Sequence, residues 1–127
     1  MKKIIKNLSI IFSIFLNRYI LKKPDFSEKN IFLQGQLLDD KNRQKREILD
    51  FKEIEFSVFS QFGEDGIISW LVEKIPNIKK VFVEIGTQDY WESNTRYLLK
   101  SKNWKGYLIE GLGDHVNKIK KQKTYWQ

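Results

Sequence analysis

Val81 to Thr95 reads VFVEIGTQDYWESNT: an apolar run, a glutamate, one glycine, then a polar loop rich in aromatic residues. With the lysines before it, KKVFVEIG (Lys79 to Gly86) has the β-branched and aromatic content of a buried parallel strand that ends at a glycine. Upstream, GEDGIISWLVEKI (Gly63 to Ile75) predicts a helix, because Ile67, Ile68, Leu71, Val72 and Ile75 recur at helical spacing. Ser60 and Asp65 offer short oxygen-bearing side chains to its first amides, and Pro76 and Asn77 end it. Downstream, NTRYLLKSK (Asn94 to Lys102) predicts a helix with Asn94 and Thr95 as caps, Asn103 to Gly106 a turn, and YLIE (Tyr107 to Glu110) a second strand. Asp114 to Lys121 suggests a further helix and Thr124 to Gln127 the opening of a third strand.

That alternation implies an α/β fold, the first half of a doubly wound Rossmann-like parallel sheet with right-handed crossovers. A sheet that stops after three strands leaves an edge and a face uncovered, so the expectation is the N-terminal portion of a longer domain.

In such folds ligands sit beyond the carboxyl ends of the strands. The residues there are Glu84, Gly86, Thr87, Gln88, Asp89 and Tyr90, and the next strand-end carboxylate, Glu110, lies 24 positions beyond Gly86. A carboxylate about 20 residues beyond the glycine turn suits the two hydroxyls of a ribose. A dinucleotide would need second and third glycines where Gln88 and Tyr90 stand, and bulk there obstructs a diphosphate. A nucleoside with an amino-acid tail and no phosphate demands less of the loop, so S-adenosylmethionine fits better than NAD.

The stretches SQFGEDGII (Ser60 to Ile68), FVEIGTQDYWESNTRYLL (Phe82 to Leu99) and NWKGYLIEG (Asn103 to Gly111) resemble the S-adenosylmethionine-dependent methyltransferases of the FkbM-like group. In particular they resemble a branch often found with surface-polysaccharide genes, whose loop reads Glu-x-Gly-x-x-x-Tyr followed by Glu-Ser-Asn-Thr-Arg. The likeness covers about residues 57 to 127, with three motifs in the same order. It implies that Glu84 and Gly86 line the methionine end of S-adenosylmethionine, that Thr87 and Gln88 offer loop amides, and that Glu110 holds the ribose. Gln61, Glu64 and Asp65, from the SQ-GED motif, would close the pocket from the side, with helix capping the equal alternative for Asp65. The acceptor, a glycan or related small molecule, is met in that family by later strands and loops. A shortened chain of this kind is therefore expected to be inactive alone, unless a complementing chain supplies the rest.

No catalytic base is identifiable, since His115 is the one histidine and falls on an exposed helix. Arg96 is expected to pair with Glu92 on the surface, and Trp91 and Trp104 to pack rather than stack on a ligand. With no cysteine, disulfides and thiolate metal sites are excluded, a lone histidine argues against a zinc site, and a reducing, cytoplasmic setting fits. A hydrophobic fraction of 41% with 14% aromatic residues argues for a packed domain rather than a disordered chain.

The net charge of +7 lies mainly in residues 1–50, which carry 11 basic against 6 acidic residues. No basic stripe interleaved with aromatics follows, so nucleic acid is not an expected partner. Lys118, Lys120, Lys121 and Lys123 read as a solvated helix face. Within IIKNLSIIFSIFLNRYIL (Ile4 to Leu21) the uncharged gap spans positions 7–17, short of the ~20 apolar residues that cross a bilayer. As a helix, residues 1–22 are amphipathic: Ile4, Ile5, Leu8, Ile11, Phe12, Phe15, Leu16 and Tyr19 share one face. This suits peripheral contact with an anionic inner membrane face through residues 4–21, or packing on the protein itself or a partner. A secretory signal is disfavoured, because Asn17, Arg18 and Tyr19 supply no small-residue cleavage site. Residues 23–55 read as a polar connector, with a solvated helix over Gln36 to Ile54 carrying pairs such as Arg43 with Glu47. Two other functions remain open: a noncatalytic membrane-associated module with a remnant Rossmann-like segment, and a nucleotide-sugar or NAD-binding enzyme fragment.

Overall fold

The computed structural model describes residues 26–122. The amphipathic helix expected over residues 1–22 and the strand expected over Thr124 to Gln127 lie outside them. The element order is α1 (Phe26–Arg43), a 3-10 turn (Phe51–Glu53), α2 (Glu64–Lys74), β1 (Val81–Ile85), α3 (Arg96–Lys102), β2 (Lys105–Ile109) and α4 (Gly113–Lys121). The described residues thus form a mixed α/β arrangement in which β1 and β2 pair in parallel, from Val81 opposite Lys105 to Ile85 opposite Ile109. Gly86 N–H donates to Ile109 O at 2.8 Å and carries the ladder one step past β1.

Two element boundaries differ from the sequence reading, one of a helix and one of a strand. The helix expected over Gln36 to Ile54 ends at Arg43, because downstream side chains compete for the backbone. Asp50 accepts from Lys52 N–H at 3.0 Å while Glu53 accepts from Leu49 and Asp50 N–H, a reciprocal cap that begins a new turn. Arg43 accordingly reaches back to Asp39 and Asp40, not forward to Glu47. The turn before β2 is also shorter than expected. Asn103 alone takes the left-handed conformation (φ 55°), Trp104 N–H closes on Leu98 O, and Lys105 already pairs as strand.

Residues 32–55, read as a connector, belong to the same compact unit as the sheet and its helices. Ile54 is fully buried, and Asn42 Nδ2 donates to its carbonyl at 2.8 Å. Aromatic rings build the core: Phe56 meets Tyr97 edge-on at 5.1 Å, and Phe32 lies about 6 Å from both Tyr97 and Phe59. Asp39, 4% exposed, accepts from Ser69 Oγ at 2.5 Å and pairs with Lys102 Nζ at 3.0 Å, which also meets Glu73 at 2.6 Å. This network ties α1, α2 and α3 together.

The buried side of α2 is not the apolar one. Asp65, Gly66 and Ser69 are buried, whereas Leu71 and Ile75 are 41% and 52% exposed. Small residues let the chain from Ile54 to Phe56 run directly against the helix, where Gly66 N–H donates to Phe56 O at 3.2 Å. On the sheet, the register places Val81, Val83, Ile85, Tyr107 and Ile109 on one face, and all five are more than half exposed. No helix among the described residues is long and apolar enough to cross a membrane.

Candidate functional site at the strand ends

The carboxyl ends of β1 and β2 bring together five of the eight residues singled out by sequence: Glu84, Gly86, Thr87, Gln88 and Glu110. Gly86 turns with φ 74°, and a Cβ built there would meet nothing within 4 Å, so the turn is open on that side. Gln88 and Tyr90 follow at φ 49° and 63°, left-handed conformations that side chains rarely adopt unless other contacts hold them. Gln88 N–H donates to Glu110 Oε2 at 2.7 Å. Tyr90 N–H returns to Thr87 O at 2.9 Å. Leu112 N–H donates to Glu110 Oε1 at 2.9 Å, so one carboxylate joins the loops that follow both strands.

Those bonds hold Glu110 below its ordinary pKa. The Leu112 amide lowers it most, opposed by burial and aided by the Gln88 amide and by His115, whose Nδ1 stands 3.7 Å from Oε1. Because the folded-state pKa is depressed, the bridge contributes its stability above the ordinary glutamate value of 4.5 and loses it as pH falls through the lower, folded value. The Gln88 and Leu112 amide NMR shifts are expected to titrate together with a midpoint below 4.5; a midpoint at or above that value contradicts the bridge.

Glu84 is engaged elsewhere. Its carboxylate accepts from Ser93 Oγ at 2.6 Å, from Asn94 and Thr95 N–H at 3.1 Å each, and from Thr95 Oγ1. The cap of α3 is therefore Glu84, reaching across from the strand; Asn94 and Thr95 are its donors, and the helix begins at Arg96. Since Thr95 gives its proton to Glu84, Tyr90 Oη is the donor in its 3.1 Å contact with Thr95 Oγ1. Burial pushes the Tyr90 hydroxyl up to about 12, which keeps that proton in place. With four donors on its two oxygens, Glu84 holds the loop and the start of α3.

Asp65 likewise serves its own segment. Its Oδ2 accepts the amides of Val58, Phe59 and Ser60 at 2.7, 2.6 and 3.0 Å, and Ser60 Oγ receives Asp65 N–H at 2.9 Å. Burial raises the Asp65 pKa against the lowering effect of those amides. Glu64 accepts from Phe62 N–H at 2.8 Å, and Gln61 is exposed. Phe59, the residue before the SQ-GED segment, meets the strand-end loop, its carbonyl taking Ser93 N–H at 3.0 Å.

Arg96 is not on the surface with Glu92. It is 3% exposed, with its guanidinium carbon 4.6, 5.1 and 5.6 Å from the rings of Trp91, Phe59 and Tyr90, and Nη1 donates to Tyr90 O and Gln122 Oε1. Gln122 Nε2 in turn donates to Asp89 O. Trp104 packs as expected at 5% exposure, whereas Trp91 is 54% exposed and lies on the cation. Sequence reasoning missed Arg96 and the approach of His115 to Glu110. The available signal was spacing: His115 lies in the first turn of α4, five residues after Glu110, and Arg96 stands among Tyr90, Trp91 and Tyr97.

Three cavities of about 420, 420 and 500 Å3 lie at other places, one between the ends of α2 and α3, one between residues 48–51 and Trp70, and one along α1 at Asp39 and Lys102. At the strand ends, the Glu110 oxygens take the Leu112 and Gln88 amides, with the Gly111 amide also close, and keep acceptor capacity, and the side of Gly86 where a Cβ would stand is open. This suits the hydroxyl-bearing part of a nucleoside. Compared with protein-family models, with curated proteins and with solved structures, the chain gives no match.

Proposed function

We propose that residues 56–127 are the cofactor-binding half of an S-adenosylmethionine-dependent methyltransferase domain, built on the first half of a doubly wound sheet and resembling the FkbM-like group. The observation that carries this reading is the Gln88–Glu110 hydrogen bond, which sets a ribose-competent carboxylate against an open glycine turn at the ends of two parallel strands. The cofactor would supply an electrophilic methyl on a sulfonium. On this chain, Glu110 would accept the ribose hydroxyls, Gly86 would give backbone clearance, and Glu84, Arg96 and Tyr90 would hold the loop that borders them. The anionic Glu110 also disfavours a phosphate, in keeping with a nucleoside ligand over a dinucleotide.

The acceptor is read as a hydroxyl of a glycan or related small molecule. Methyl transfer to that hydroxyl would need a base to take its proton, and the resemblance assigns such a base to later strands and loops. Calorimetric titration of the full chain with S-adenosylhomocysteine should give saturable binding, and Glu110→Ala should weaken it by about tenfold or more, the loss of charge-assisted hydrogen bonds. NADH should not compete. Absence of S-adenosylhomocysteine binding at millimolar concentration overturns the reading.

A further inference from the structure

We infer that the bare face of the β1–β2 sheet is the interface of a two-fold homodimer, covered by a second copy of this chain whose strands run antiparallel to the first. Its occupancy does not depend on a nucleoside at the strand ends. Side chains alternate across a sheet, and here the two faces differ. Phe82, Glu84 and Leu108 are half-buried, and the Phe82 ring lies where a Cβ on Gly106 would stand. Val81, Val83, Ile85, Tyr107 and Ile109 on the other face are exposed, and the register sets Val83 beside Tyr107 at its centre.

By their exposed fractions these five side chains present on the order of 600 Å2 per copy, close to the ~800 Å2 per partner of a standard interface. It is also at the upper limit of what a monomer leaves contiguous in water. The composition is that of an interface core, β-branched residues and a tyrosine, with Lys105 beside Val81 as the charged residue of the face. Charge at the two ends of the strands favours a second copy as the occupant. Lys79, Lys80 and Lys105 stand where the strands begin, and Asp89, Glu110 and Asp114 follow where they end, with Lys118 offsetting Asp89 in part at 3.9 Å. A two-fold axis lying between the sheets and across the strands sets each basic start over the acidic end of the other copy. The same axis keeps the two Lys105 side chains apart, whereas a parallel arrangement would stack like charge on like.

Sedimentation of the full chain is expected to show a concentration-dependent dimer with a Kd on the order of 10 μM, as suits an interface of this size. Tyr107→Lys should raise that Kd at least tenfold, because it buries a charge at the centre of the interface, and Val83→Lys on the neighbouring strand should act alike. Both positions are exposed in one copy, so far-UV circular dichroism of the two variants should match that of the parent. Leu49→Lys alters an equally exposed apolar residue away from the sheet and should leave the dimer intact. A parent that is monomeric at about 0.5 mM overturns the inference. So does a dimer that survives both sheet substitutions, since another surface, such as residues 4–21, would then hold the copies together. Equal weakening by Leu49→Lys overturns it as well, because association would then follow apolar exposure in general and not this face.

Discussion

Gly66→Ala is expected to lower stability by about 3 kcal/mol, at the upper end of the range for an overpacked interior. A Cβ at residue 66 would stand 2.7 Å from Phe56 N and 2.8 Å from the Phe56 ring, and closer still to the Ile54 carbonyl oxygen. Two of these neighbours are backbone atoms of a segment that cannot swing aside, since Ile54 is fully buried and Phe56 O is bonded to Gly66 N–H. Alanine also brings a helix-propensity gain of about 1 kcal/mol, which the clash outweighs. Gly111→Ala is the control, because nothing lies within 4 Å of its added Cβ. Urea denaturation should show a clear loss for the first and little change for the second; equal midpoints would mean that α2 and the 54–56 segment do not pack so closely.

Glu84→Ala should cost about 3 kcal/mol, on the scale set by several hydrogen bonds to one carboxylate. The substitution leaves Ser93 Oγ, Thr95 Oγ1 and two amides at the start of α3 without their acceptor. Glu84→Gln should fall between, since its amide presents one acceptor oxygen and one donor to a ring of donors. Denaturation midpoints and amide exchange at Asn94 and Thr95 would measure both. If exchange there is unaltered while cofactor affinity collapses, Glu84 is a ligand contact and not a cap.

Strands and crossover helix were legible because their residues carry strong, local preferences. Val81 to Ile85 sets a β-branched side chain at every second position with Phe82 and Glu84 between them, and β2 follows a helix that has a left-handed asparagine stop. The turn at Gly86 was legible for the same reason. Illegible features depend on partners far along the chain. The end of α1 is decided by Asp50 and Glu53, seven and ten residues beyond it, where helical charge spacing in the sequence argued for continuation. Leu71 and Ile75 fit a helical apolar stripe, yet the close approach at Gly66 turns that stripe outward. Glu84 has the same identity whether it meets a ligand or a helix, and only the geometry of residues 93–95 decides between them. Arg96 reads as a surface cation until three rings and a carbonyl are seen around it.

The β1–β2 pairing has a kinetic corollary. Antiparallel strands can zip from a tight hairpin, but a parallel pair has no such local nucleus and needs its crossover helix in place before the ladder can form. Here that helix, α3, spans seven residues, too few to persist by itself in water. Ladder and helix are therefore interdependent, and they should appear and disappear as one cooperative step.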